Sequence, residues 1–183
     1  MMKIGLIALL SFISVSVWAA PQVEVQTSLG SFTIELNKEK APFTVANFLR
    51  YVKDGSYKGS IFHRVIPGFM AQGGGFTQDL ERLDSYPPIK NEAGNGLAND
   101  TATIAMARTQ DPDSATRQFF INLTDNDFLN ASQRPPGYAV LGKVIKGFDV
   151  VKSMASIPTG RKGFMRDVPE TPIIINNMTL LSE

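Results

Sequence analysis

Apolar and polar residues alternate along two short stretches near the start of the chain, Val23 and Val25 in one, Phe32, Ile34 and Leu36 in the other, with Ser28-Leu29-Gly30 between them. A period of two around a turn signal predicts a β-hairpin with one buried face. The period then changes. From Pro42 to Lys53 the apolar residues Val45, Phe48, Leu49 and Val52 recur at helical spacing, with Pro42 tolerated in a first turn and Gly55 placed to end the last. One amphipathic helix is predicted there. Short runs at residues 61–66, 69–72, 103–107, 118–123 and 138–144 are each bounded by Gly, Pro, Asn or Asp and predict strands. A second short helix is expected over 148–155 and a last strand over 173–181.

Strands dominate, and their short connections favour antiparallel neighbours. A closed all-β barrel capped by two helices accommodates that order and leaves no exposed sheet edge. Residues 74–100 lack periodicity and are long for a connection in a compact domain, which marks a binding loop.

Residues 1–19 stand apart, with a single Lys3, a nearly unbroken apolar run from Ile4 to Trp18, and small residues at Ala19 and Ala20 before Pro21. The run is too short to span a hydrocarbon core, which needs roughly 20 helical residues, and the small residues suit a signal peptidase. An export signal with cleavage after Ala19 or Ala20 is expected, followed by one domain over 20–183 and a periplasmic location in a Gram-negative cell. Loss of Lys3 leaves 17 basic residues against 17 acidic ones, so no nucleic-acid or anionic-membrane partner is indicated. The chain has no cysteine and one histidine, which excludes a disulfide framework and argues against a zinc site. No metal or other cofactor is expected, and the domain is large enough to fold as a monomer.

The segment FHRVIPGFMAQGG, residues 62–74, sets a cation, two bulky apolar groups and an amide around a Pro67-Gly68 turn. Strand alternation lets Arg64, Phe69, Met70 and Gln72 converge on one face. Gly73, Gly74 and Gly75 raise a phosphate cradle, but no helix start and no lysine follow them, so they read as turn and bulge formers. His63 is expected to turn away from Arg64's face and to be a hydrogen-bonded structural residue.

This segment resembles the signature of the cyclophilins, and TIAMAR at 103–108, QFFINL at 118–123 and YAVLGKVIKG at 138–147 resemble further blocks of that family in the same order. The run KNEAGNGLAND at 90–100 is similar to bacterial, exported members. The resemblance covers essentially everything after the leader. It implies an eight-stranded antiparallel barrel with two capping helices, peptidyl-prolyl cis/trans isomerase activity, and an external groove for extended, proline-containing polypeptides. By position, Arg64 is the implied catalytic cation and Gln72 the group that binds substrate backbone. Phe69, Met70, Phe120 and Leu129 are implied to line the proline pocket. Ala107 and Arg108 are implied to offer backbone, with Gln118, Phe128 and Tyr138 at the groove. Phe119 goes to the barrel interior and Phe120 to the groove.

Two positions depart from the familiar eukaryotic pattern, Phe128 in place of a tryptophan and Tyr138 in place of a histidine. Phenylalanine lacks the indole N–H donor, so weakened cyclosporin binding is expected. The rival function is a chaperone that holds proline segments without turning them over. Arg64 discriminates the two, because a pure binder needs no cation aimed at a prolyl nitrogen.

Overall fold

The computed structural model describes residues 20–182, so the expected leader at 1–19 lies outside the described residues. The alternating stretches form β1 (Gln22–Thr27) and β2 (Gly30–Leu36), which pair Val25 with Phe32 and Val23 with Ile34. Leu29 N–H donates to the Thr27 hydroxyl, and that hydroxyl donates to the Gly30 carbonyl, closing the turn at 3.1 and 2.8 Å. Val23, Val25, Phe32, Ile34 and Leu36 are all buried. Each contributes on the order of 1.5–3 kcal/mol by leaving water.

Helix α1 (Pro42–Lys53) has the predicted bounds and buries the predicted apolar stripe. Ala41 precedes it and has no side chain to cap it. The cap comes from far along the chain, where the Glu92 carboxylate accepts from Thr44 N–H at 2.7 Å, from the Thr44 hydroxyl at 2.6 Å and from Phe43 N–H at 3.3 Å. A negative group at this end also complements the helix dipole.

The remaining barrel strands are β3 (Ile61–Ile66), β4 (Met70–Gly73), β5 (Thr103–Met106), β6 (Phe119–Asn122), β7 (Val140–Lys146) and, after helix α2 (Phe148–Met154) and the hairpin β8 (Thr159–Lys162) and β9 (Met165–Pro169), β10 (Ile173–Ser182). They close in the order β1-β10-β3-β4-β6-β5-β7-β2, every neighbouring pair antiparallel. The eight-stranded barrel with two helices is therefore present as expected, α1 packing on β10 and α2 on β2. The β8–β9 hairpin is an addition. It lies outside the barrel sheet, with β9 against β3.

The barrel interior is organised around Phe119, whose ring meets Phe48, Tyr57 and Phe62 edge-on at centroid distances of 5.6, 5.5 and 5.8 Å. Such pairs are worth about 0.5–1.5 kcal/mol each beyond the area they bury. Beside this cluster lies a buried cation, Arg117. Its guanidinium donates at 2.6 Å to each of three backbone carbonyls, those of Gly74, Asp84 and Ser56. One side chain thereby ties the start and middle of the 74–100 segment to the loop before β3.

Candidate functional site

Directly opposed residues on antiparallel strands project to the same side of a sheet. Arg64 in β3 opposes Gln72 in β4, Gln72 opposes Phe120 in β6, Phe120 opposes Ala105 in β5, and Ala105 opposes Val140 in β7. This row crosses four strand boundaries on the outer surface, since the alternating set Val65, Ala71, Ile121 and Ile104 belongs to the interior core. Along the row Met70, Ala105, Phe120, Leu129 and Val140 form a second apolar cluster, with Ile66, Phe69, Leu97, Ala107 and Tyr138 packed on it. Phe119 and Phe120 thus part as expected, one to each cluster.

The rim of this trough is aromatic. Phe69 stacks on the exposed Phe128 at 5.5 Å, and Phe120 meets Tyr138 edge-on at 5.7 Å. Arg108 lies over the Tyr138 ring at 4.4 Å, held there by its Nε–H donation to the Gly137 carbonyl at 2.9 Å. Phe69 and Tyr138 stand just outside β4 and β7, in a turn and a loop, and the strands predicted to contain them are shorter or shifted. Ala107 and Gln118 also fall beyond the ends of β5 and β6, where the Ala107 N–H donates to the Gln118 carbonyl at 2.9 Å. Of the Ala107 backbone, only the carbonyl is left to a peptide.

The polar side of the trough is fixed by partners. Gln72 Nε2 donates to Gln118 Oε1 at 3.0 Å, and Arg64 Nε donates to Asp167 of β9 at 3.4 Å. With Nε committed to a carboxylate, the guanidinium's terminal N–H groups remain for a ligand. Gly75 lies against Gln118, because a Cβ there would come within 2.4 Å of the glutamine side chain. Gly74 has φ 84° and no room for a Cβ between Tyr57 and Phe119. These two glycines serve close packing as well as the turn.

Beneath the apolar floor runs a network of amides that sequence reading passed over. Asn126 Nδ2 donates to Asn122 Oδ1 at 2.8 Å and to the Phe69 carbonyl at 3.0 Å. Asn122 Nδ2 in turn donates to the Thr103 hydroxyl at 2.9 Å, and Asn130 Oδ1 accepts from Asn99 N–H at 2.7 Å. The network reaches both Phe69 and the residues flanking Leu129, so it sets where the pocket walls stand. Asp167 was missed for a different reason: its hairpin has no alternating pattern to mark it.

His63 is the buried structural residue expected, though strand alternation is not what directs it. Phe62 opposes Gly73 while Arg64 opposes Gln72, so His63 is the extra residue of a β-bulge, and strict alternation does not govern its direction. It is buried with its ring 4.6 Å from Phe76, and Nδ1 has no hydrogen-bond partner. Burial, reinforced by the neighbouring Arg64 charge, lowers its pKa to about 4. At neutral pH it is uncharged and poorly suited to give or take a proton at the trough.

What the trough offers is an apolar seat beside a cation and an amide, and among the described residues no nucleophile is paired to a base there. Residues 22–180 match the family model described as cyclophilin type peptidyl-prolyl cis-trans isomerase/CLD. The chain is 54% identical over 170 residues to a peptidyl-prolyl cis-trans isomerase of Acinetobacter baylyi, covering 93% of this chain and 90% of that one. It is 50% identical over 161 residues to peptidyl-prolyl cis-trans isomerase B of Escherichia coli K12, covering 86% and 98%. In three dimensions it is similar to a cyclophilin type peptidyl-prolyl cis-trans isomerase of Cryptosporidium parvum, with TM-score 0.74, 26% identity, and coverage of 90% and 99%. That protein solved in the presence of the dipeptide Ala-Pro matches with TM-score 0.73, 27% identity, and coverage of 88% and 99%.

Proposed function

The chain belongs to the cyclophilin-type peptidyl-prolyl cis-trans isomerases, and from that membership we propose that Arg64 is its catalytic cation and that its substrates are proline-containing segments of exported polypeptides. The observation that carries this reading is the outer row Arg64–Gln72–Phe120, set beside the buried Met70 and Leu129. A relative solved in the presence of Ala-Pro supports proline-containing peptides as the ligand class. The pattern of residues 1–19 supports export to the periplasm and a role in folding there.

Rotation about an X-Pro bond is slow because the nitrogen lone pair is delocalised into the carbonyl, with a barrier of about 18–20 kcal/mol. In the twisted transition state the lone pair is localised on nitrogen and accepts a hydrogen bond that the planar bond cannot accept. A terminal N–H of Arg64 supplies it. Because that bond exists mainly in the transition state, it raises the rate and does not merely tighten binding. A step shortened from roughly 100 s to roughly 1 ms requires about 7 kcal/mol, whereas a charge-assisted hydrogen bond contributes about 1.5–3 kcal/mol. The rest is assigned to the apolar seat, which excludes water and pins the ring, while Gln72 holds backbone on the far side of the rotating bond.

The test is prolyl isomerisation of a short peptide beside binding of the same peptide. Arg64→Ala is expected to lose roughly 10- to 150-fold in rate, the kinetic equivalent of that hydrogen bond, with binding largely kept. Arg64→Lys recovers little, because a point charge does not reproduce the planar fork. Equal rates in wild type and Arg64→Ala overturn the assignment. Phe128, lacking a donor, supports weakened cyclosporin binding without affecting this chemistry.

A further inference from the structure

The β8–β9 hairpin joins the trough at the Arg64 end of the row, through the contact of Asp167 with Arg64. From Asp167 the strand runs three residues to the hairpin tip, about 10 Å at the rise of an extended chain. The tip exposes a large ring, Phe164, which is 86% exposed. Around it Arg161, Lys162 and Arg166 are exposed, and none of the three has a carboxylate partner among the described residues. The acidic residues of the hairpin lie elsewhere, Asp167 against Arg64 and Glu170 at the base near Gly160. An isolated exposed aromatic is ordinary, but one flanked in sequence by cations without carboxylate partners, on a hairpin tied through Asp167 to the Arg64 end of the trough, has the composition of a binding surface.

We infer that the hairpin tip extends the peptide site, engaging client polypeptide beyond the proline and favouring flanks that carry acidic and apolar residues. This rests on the groove assigned above. An extended client spans about 3.3 Å per residue, so residues roughly three positions from the proline reach Phe164 and the cations. Charge complementarity selects the flank: a Glu-bearing segment is attracted to Lys162 and Arg166, and a Lys-bearing one is repelled. An apolar flank residue covers the Phe164 ring. The contact acts on capture and not on bond rotation, so it changes which clients are turned over at low concentration and leaves the rate of the bound core unchanged.

The experiment uses four peptides with one X-Pro core, one without flanks and three extended on both sides by four residues containing a leucine and either Glu, Gln or Lys. Isomerisation at subsaturating peptide is followed by exchange NMR in wild type, in Lys162→Glu/Arg166→Glu and in Phe164→Ser. Wild type is expected to favour Glu over Lys flanks by roughly 3- to 10-fold at low salt, the scale of two exposed charge pairs, and to lose most of the preference at high salt. The double reversal inverts the order, Phe164→Ser lowers turnover of all three flanked peptides, and both variants process the flankless peptide as wild type does. Turnover of the flankless peptide with no flank preference overturns the inference and leaves the groove standing. No turnover of the flankless peptide by wild type overturns both. Binding of wild type, but not the double reversal, to phosphatidylglycerol vesicles without a flank preference makes the tip a lipid contact and likewise overturns it.

Discussion

Arg117 should be among the costliest residues in the molecule to replace, although it lies outside the groove. Its three bonds at 2.6 Å go to carbonyls from three separate places in the chain, and the residue is 3% exposed. Arg117→Met keeps much of the side-chain volume and removes the desolvated charge, which by itself is favourable. The carbonyls of Gly74, Asp84 and Ser56 cannot be removed with it. The bond to Gly74 is buried and those to Asp84 and Ser56 are part-buried, so the first acceptor left unpaired costs about 1–3 kcal/mol and the other two about 0.5 kcal/mol each, a net loss of about 3 kcal/mol. With a urea slope of about 1–3 kcal/mol/M for a protein of this size, the unfolding midpoint should fall by roughly 1–3 M at unchanged slope. Arg117→Lys should fall between, because one ammonium cannot reach three directions. A midpoint shift under about 0.3 M for Arg117→Met would show that desolvating the guanidinium cancels its bonds, and would refute this reasoning.

Asp167→Ala should lower the isomerisation rate of a short prolyl peptide by up to about 5-fold, with a modest stability loss of about 1 kcal/mol because Asp167 adopts a left-handed backbone, φ 59°, that alanine tolerates less well, while the pair it breaks is about 40% exposed and modest in strength; full wild-type activity would show that Asp167 does not hold Arg64. His63 makes stability depend on acidity. Its folded value of about 4 lies below the ordinary 6.5, so the unfolded chain takes up its proton first as the pH falls. The contribution is whole above pH 6.5 and is lost toward pH 4, a total of about 3 kcal/mol. Urea midpoints at pH 7 and pH 4.5 should diverge less in His63→Phe than in wild type, and equal divergence would contradict the sign. Glu92→Ala should cost about 1–2 kcal/mol by uncapping α1, read as a lowered melting temperature, and an unchanged melting temperature would show that water replaces the cap.

Much of this architecture was legible because burial leaves a period in the sequence. The α1 stripe and the β1–β2 alternation each bury one face, and both elements stand where they were expected. Phe119 and Phe120 were separable because adjacent strand residues face opposite ways. The β8–β9 hairpin was not legible, since most of 160–167 is solvent-facing and shows no alternation. Arg117 and Glu92 were hidden for another reason. A buried cation or a distant cap is justified by acceptors and donors that are remote in sequence, and nothing in the local pattern announces them. The direction of His63 was not legible, because a bulge breaks the alternation from which it was argued.

That bulge makes β3 tolerant of a change in length at one position. Elsewhere in β3, β4 or β6, deleting one residue exchanges the inner and outer sets of side chains on one side of the gap. Deleting residue 63 instead leaves Phe62 opposite Gly73 and Arg64 opposite Gln72, with an ordinary ladder between them. A shortened chain could therefore keep its guanidinium beside its glutamine, and a systematic single-residue deletion scan through these strands should find its one survivor there.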